Sequence, residues 1–501
     1  MDESSGEPRS EQTGLSDAAA AVLVFASSAA VLVVELVALR LLAPYLGLTL
    51  ETNTLVIGIA LTAIAIGSWA GGRAADSVPP RRTLGPLLAV SGVVVALTPV
   101  SVRAAGASGA DGLVVLVAAA AILVPGILLS AVTPMVTKLR LTDLAATGTV
   151  VGRLSGIGTI GAIFGTVVTG FVLVSAVPVT GILVGLGALL VVAAGIVEVL
   201  VRGWRFGIGP AALVVVGGLS AAVVPDSCDV ETTYHCAVID ADPDRDGGRT
   251  LVLDGVRHSY VDLADPTHLE FEYVRAIAAA VDTLHPDEEA LDAYHLGGGG
   301  LTLPRWLEVT RPGTRSLVSE IDPGVVRIDR ERLGLETGPG LDVRVEDGRL
   351  GLRRLDDGSR DLVVGDAFGG VSPPWHLTTH EAIEEVSRVL VDGGTYVANL
   401  IDHGPLDFAR GEAATIGSVF RHVAVLAEPE AFDFSGGGNV VVVASDRPID
   451  LAGLSSAVED RGVAWRVVSG DELDAWVGDA AVLTDDHAPT DQLLTPYSVA
   501  S

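Results

Sequence analysis

Seven hydrophobic stretches follow one another through the first 225 residues, at roughly 18–42, 53–72, 84–101, 112–133, 154–176, 179–200 and 207–224, each near the ~20 residues that a helix needs to cross a bilayer. A run of this kind constrains the chain more than any other feature. In hydrocarbon every backbone N–H and C=O must be satisfied within its own segment, so the stretches are read as a transmembrane bundle of about seven helices over residues 17–225. The remainder is written for another solvent. Residues 1–225 carry 11 acidic and 11 basic side chains, whereas residues 226–501 carry 51 acidic against 21 basic, so the whole net charge of −30 lies in the second half.

That acidity, with Lys138 the single lysine in the chain, suits a salt-adapted, carboxylate-hydrated surface. It argues against nucleic acid as a partner, because phosphate neutralisation needs clustered Lys and Arg. Residues 1–16 are polar and acidic, without the basic start of a secretory signal, and are read as a disordered acidic tail.

Basic residues cluster in alternate connections: Arg73, Arg81 and Arg82; Lys138, Arg140 and Arg153; Arg202 and Arg205. The positive-inside rule makes these loops cytoplasmic, and an odd number of spans then puts residue 226 onward outside. Cys228 and Cys236, the two cysteines, fit no zinc pattern. Free thiols and a disulfide closing a short loop both suit the spacing, and the disulfide would agree with an oxidising exterior. A ligand made in the cytoplasm, or one missed or re-entrant helix, would argue for the cytoplasm instead, so sidedness stays open.

Within the spans, Gly156, Gly158, Gly161 and Gly165 stand at spacings that let helix backbones approach closely. Glu35, in mid-span, is costly in hydrocarbon and should face a partner such as Arg40 or a cavity. GGRAAD followed by Arg81 and Arg82 resembles the short loop of major-facilitator transporters, although seven spans are too few for that complete fold.

From residue 231 the pattern changes. TTYHCAVID and TLVLDGVRHSYVD flank a turn-rich DPDRDGG and predict a hairpin, and a helix follows through HLEFEYVRAIAAAV. Residues 226–285 therefore form a small β-hairpin subdomain with a connecting helix. Over 286–450 strands and helices alternate, which predicts an α/β Rossmann-like domain with a mostly parallel sheet, followed by an α/β extension over 451–501.

Glycines 297–300 come directly after an apolar strand and before a helix, and Glu320 ends the next strand. Glycines allow the tight turn and let a ligand approach the backbone, while a carboxylate at the second strand's tip can accept from two ribose hydroxyls. Thr302 stands where a dinucleotide fingerprint wants its third glycine. Asp347 and Asp366 end the following strands, so four successive strand ends present Gly, Glu, Asp and Asp along one rim.

The chain as a whole resembles the spermidine/spermine synthases, the polyamine aminopropyltransferases, in their membrane-fused form. The resemblance rests on ELVALRLLAPYLG, GGRAAD and GRLSGIGTIGAIFGTVVTGF in the first half, and on CDVETTYHC, LVLDGVRHSYVD, LGGGG, SEIDP, VEDG, DLVVGDAF and LTDDHAPTDQLL in the second. It implies a nucleoside-binding loop at Gly297, Gly298 and Gly299, a ribose ligand at Glu320 with Asp322 beside it, and an adenine ligand at Asp347 with Gly348. It also implies a catalytic acid at Asp366, which would receive or orient the attacking amine, and acceptor contacts from His258, Tyr260 and Tyr273. The co-substrate implied is decarboxylated S-adenosylmethionine or S-adenosylmethionine, with no tightly bound cofactor and no metal; the partners are a small-molecule amine or other nucleophile, the lipid bilayer and a second copy of the chain.

Departures from the family pattern fall on acids. Gly300 and Gly369 stand where Asp is usual, His258 replaces Gln, and Tyr273-Val274-Arg275 replaces Tyr-His-Glu. The nucleoside half of the site therefore reads as kept and the polyamine-gripping half as eroded. Losing an acid that pairs with a buried ammonium would cost ~2–5 kcal/mol of binding. The expectation is an aminopropyltransferase-like membrane enzyme, with methyl transfer from S-adenosylmethionine, a ligand-sensing or transporting membrane protein, and a catalytically inactive domain as alternatives.

Overall fold

The computed structural model describes residues 15–46, 50–106, 108, 111–141, 146–202, 228–286, 289–369 and 372–495. They divide into two compact units, the second built almost wholly from Cys228 onward.

The N-terminal unit is helical: α1 (Asp17–Leu46), α2 (Leu50–Ser77), α3 (Pro80–Gly106), α4 (Asp111–Ser130), α5 (Val132–Arg140), α6 (Thr147–Val168) and α7 (Val179–Arg202). Among the described residues six stretches, with α4 and α5 continuous, are long and apolar enough to cross a membrane. The seventh predicted stretch, 207–224, lies outside the described residues. Large apolar side chains such as Trp69, Leu116 and Phe171 are exposed on the bundle, the reverse of what water would select.

Close helix contacts follow the glycines. A Cβ at Gly161 would meet the Phe25 carbonyl oxygen at 2.3 Å, and one at Gly165 that of Ala29 at 2.6 Å, so α6 lies backbone to backbone on α1. Gly156, by contrast, has open space around it. The α3–α7 contact is reciprocal: a Cβ at Gly92 or at Gly187 would meet the other's carbonyl oxygen at 2.5 Å. Arg40 donates to the Val174 carbonyl at 3.1 Å, just past a π-helical stretch, Thr169–Leu173.

The C-terminal unit opens with an antiparallel sheet of β1 (Val230–Glu231), β2 (Cys236–Ala241), β3 (Gly248–Leu253) and β4 (Val256–Asp262), paired in that order. The predicted single run LVLDGVRHSYVD is two strands. Asp254 (φ 52°) and Gly255 (φ 82°) both take positive φ, the conformation of a type I′ hairpin, which Asp-Gly favours. Cys228 and Cys236 are joined as a disulfide.

Next come α8 (Glu272–Leu284), β5 (Asp292–Leu296), α9 (Thr302–Thr310), β6 (Arg315–Glu320), α10 (Pro323–Arg332), β7 (Leu341–Val345), α11 (Gly348–Leu352), β8 (Arg360–Gly365), α12 (His380–Val389), β9 (Leu390–Asp402), α13 (Asp407–Gly417), β10 (His422–Ala427), β11 (Gly438–Ser445), α14 (Leu451–Asp460) and β12 (Arg466–Ser469). One eight-stranded sheet runs β12-β10-β11-β9-β8-β5-β6-β7. The strands from β7 to β9 are parallel, and β11, β10 and β12 are antiparallel. Because β12 joins this same sheet, residues 451–501 are not a separate layer. Strand order reverses between β5 and β8, where an open sheet leaves a crevice at its carboxyl ends.

Candidate active site

The chain leaves β5 into that crevice through Gly297, at φ 99°, where a Cβ would lie 2.2 Å from the Asp366 carbonyl oxygen. Only glycine permits this turn and this approach. Two buried carboxylates behind the loop accept its N–H groups: Glu320 from Gly298 at 2.8 Å and Asp329 from Gly300 at 3.0 Å. Burial raises both carboxyls above their ordinary range. Glu320 also accepts from the Asp322 N–H at 2.7 Å, which leaves about half of a carboxylate's four acceptor positions for a ligand.

Beside the loop lies a cavity of about 460 Å³ whose lining includes Gly297, Gly298, Gly299, His258, Tyr273, Asp366, Asn399 and Asn439. Asp366, directly after β8, is its centre. Oδ1 accepts from Asn399 Nδ2 at 2.8 Å and Oδ2 from the Tyr273 hydroxyl at 3.2 Å. The Asn399 side-chain oxygen in turn accepts from Asn439 Nδ2 at 2.9 Å. Burial pushes the Asp366 carboxyl up to about 6, against the pull of those two donors. An acid so poised is mostly ionised at neutral pH and still able to take a proton. Burial, then the Asp366 charge, holds the Tyr273 phenol well above its usual range, so it remains a donor.

His258 lines the same cavity with its Nε2 buried and unpartnered among the described residues. Burial and the neighbouring His235 push it down to about 4, so it is neutral. His235, whose ring centroid is 6.2 Å from that of His258, is held by Asp254 at 2.7 Å.

Other expected ligands sit elsewhere. Asp322 is fully buried as the cap of α10, accepting from Gly324 N–H at 2.7 Å and Tyr234 N–H at 3.0 Å, and it also takes the Thr232 hydroxyl. It has no free face toward a nucleoside and braces the disulfide-closed hairpin against the loop region. Tyr260 points its hydroxyl at Asp242, 2.7 Å away, and is not among the lining residues; a register shift opposite Leu251–Val252 leaves His258 unpaired on β4, so simple alternation does not carry from His258 to Tyr260. Asp347 caps α11 through Leu350 N–H at 2.9 Å and binds His376 at 2.8 Å. Burial works to raise its carboxyl, but these partners hold it below the usual range. Asp347, Gly348 and Glu320 lie outside the cavity lining.

The expectation of an eroded acidic half needs correcting in part. Gly300 does lack an acid, and at φ 75° a Cβ there would meet Ser259 Oγ at 2.2 Å. Yet Glu270, Glu272 and Glu428 line the cavity with Asp366, brought there from loops and α8 that no strand-end argument reaches. Asn399, Asn439 and Asp329 were likewise absent from the sequence reading. The one signal available was a lone polar residue, Asn399, inside the apolar run of β9.

No protein-family model matches the chain. Over 176 residues it is 31% identical to a polyamine aminopropyltransferase of Vibrio vulnificus, covering 33% of this chain and 55% of that protein. Over 142 residues it is 28% identical to one of Chromobacterium violaceum, covering 28% and 53%. The chain thus spans a little over half the length of the curated relatives it matches. Among solved structures, a probable spermidine synthase from Corynebacterium glutamicum is 31% identical, covering 52% of this chain and 97% of that one with a TM-score of 0.49. The two curated relatives support a spermidine synthase-like family.

Proposed function

We propose, with a spermidine synthase-like family as the premise, that this is a membrane-bound transferase moving an aminopropyl group from decarboxylated S-adenosylmethionine to an amine. The observation that carries the reading is Asp366, fixed by Asn399 and Tyr273 on the same cavity wall as the Gly297–Gly299 loop. The six long apolar helices support the membrane assignment.

The loop suits the nucleoside: glycines let the ligand reach the backbone, and Glu320 behind Gly298 holds the loop by accepting its N–H. An amine nitrogen then attacks the carbon next to the sulfonium. The C–N bond forms as C–S breaks, the electron pair returns to sulfur, and the displaced proton passes to Asp366 or to water. A buried, fixed carboxylate contributes by orienting the nitrogen lone pair and by accepting that proton.

The test uses full-length protein in detergent with decarboxylated S-adenosylmethionine and a panel of amines. Release of methylthioadenosine together with an aminopropylated product is the expected result, falling ~10²–10⁴-fold in Asp366→Asn. If calorimetry shows no binding of any adenosyl sulfonium or thioether nucleoside, the reading is wrong.

A further inference from the structure

The charges around the cavity do not balance among themselves. Arg257 is the single Lys or Arg in its lining. Its guanidinium carbon lies 4.9 Å from the centre of the Phe271 ring, and among the described residues it makes no hydrogen bond or ion pair. This is notable beside acids that would satisfy it. Glu270 instead contacts His268 at 3.0 Å, and Glu272 faces Arg275 at 3.6 Å. Asp366 is held by the neutral donors Asn399 and Tyr273, and Glu428 has no cationic partner among the described residues. Arg257 and Glu428 are exposed and are met by water, while Asp366 faces only neutral donors, so among the described lining residues one cation and two acids have no charged protein partner.

We propose that the substrate completing this cavity is zwitterionic, an amine that also carries a carboxylate, with the carboxylate on Arg257 and the amine toward Asp366 and Glu428. A guanidinium stacked on an aromatic ring is already oriented, and its planar fork matches a carboxylate in two parallel hydrogen bonds. Gly300 removes an obstacle to this reading: no side-chain acid stands in the loop to repel a carboxylate, and there is no room for one. The carboxylate can belong to the sulfonium donor, as in S-adenosylmethionine itself, or to the acceptor. In both cases a C–N bond replaces C–S, sulfur leaves as a neutral thioether, and the amine proton goes to Asp366 or water. The inference rests on the transferase reading above and narrows its substrates.

Two pairs of probes differing by one carboxylate test it on full-length protein in detergent: S-adenosylmethionine against its decarboxylated form, and ornithine against putrescine. At least one pair should show a tenfold or greater preference for the carboxylated member, in Kd for the donors or kcat/KM for the acceptors. Arg257→Met should abolish that preference, the ratio within the pair falling toward one while the carboxylate-free member is still bound or turned over, and Arg257→Lys should keep part of it. A donor preference and an acceptor preference identify the two sources. Equal or reversed preference in both pairs, or a preference unchanged in Arg257→Met, overturns the inference. Thioether nucleoside release would then still stand for the transferase reading, whereas absence of all adenosyl binding would sink both.

Discussion

Asn399 Nδ2 donates to Asp366 Oδ1 at 2.8 Å, and the contact is a product of strand register. Gly365 on β8 pairs with Ala398 on β9, so the next residue of each chain emerges at the same level of the crevice. Asn439 on the antiparallel neighbour β11 then fixes the Asn399 amide from behind.

The pH dependence of transfer should report this arrangement. Burial sets the Asp366 carboxyl at about 6 while the Asn399 donor pulls it down. Transfer uses the carboxylate, so kcat/KM should fall as pH drops through 6. Removing the donor in Asn399→Leu raises the carboxyl further, and the acid limb should move to higher pH, with most activity returning at pH 8. An acid limb that stays in place in the variant would contradict the assignment.

Stability should move the other way from activity in Asp366→Asn. A carboxyl whose folded value is raised contributes stability that is present at low pH and lost as pH rises through about 6. At pH 8 the wild type holds a poorly solvated charge that the amide variant lacks. Thermal unfolding at pH 8 should therefore give a midpoint no lower than wild type, and the gap should close at pH 4.

The near-terminal LTDDHAPTDQLL acts as a clamp. Arg349 Nη1 and Nη2 bind Asp485 at 2.6 and 2.7 Å, and Nη1 also reaches the His376 carbonyl at 3.1 Å. Arg349→Met should destabilise the C-terminal unit by ~1–2 kcal/mol, with Asp485 partly exposed and so screened. Denaturant titration against Asp485→Asn and the double variant measures the coupling; additive effects would mean the pair contributes nothing of its own.

In the bundle, Gly161→Leu should fail where Gly156→Leu succeeds. A side chain at 161 meets the Phe25 carbonyl, whereas one at 156 enters open space. Detergent-resistant folded yield, followed by size-exclusion chromatography, distinguishes them.

Cys228 and Cys236 should resist thiol reagents until reduced, since they are disulfide-linked. A membrane-impermeant reagent applied to intact cells after reduction also reports sidedness: labelling places the unit outside, and labelling only after lysis places it inside.

What the sequence made legible was local. Apolar span length and the strand-glycine-helix order at Gly297–Gly300 are written in consecutive residues, and both appear in the structure. Asn399, Asn439 and Asp329 were invisible because their partners lie 29 to 40 residues away, across strands and loops. Tyr260 escaped for a related reason: the register shift that leaves His258 unpaired on β4 interrupts the period-2 alternation, so which residues face the cavity is not readable from spacing. The capping role of Asp322 was hidden too, since Asp-Pro before a helix serves a cap as readily as a ligand site.

Gly300 makes the loop's history hard to reverse. An aspartate at that position would need a left-handed backbone, which aspartate tolerates better than most residues, and its Cβ would crowd Ser259, so an acid there requires residue 259 or the loop backbone to shift. Two routes exist, either relaxation of the Leu301–Thr302 entry to α9 or prior shrinkage of residue 259 to glycine. Either way the sites are coupled, and directed evolution toward an acidic loop should select changes at 259 or at the 301–302 entry together with position 300.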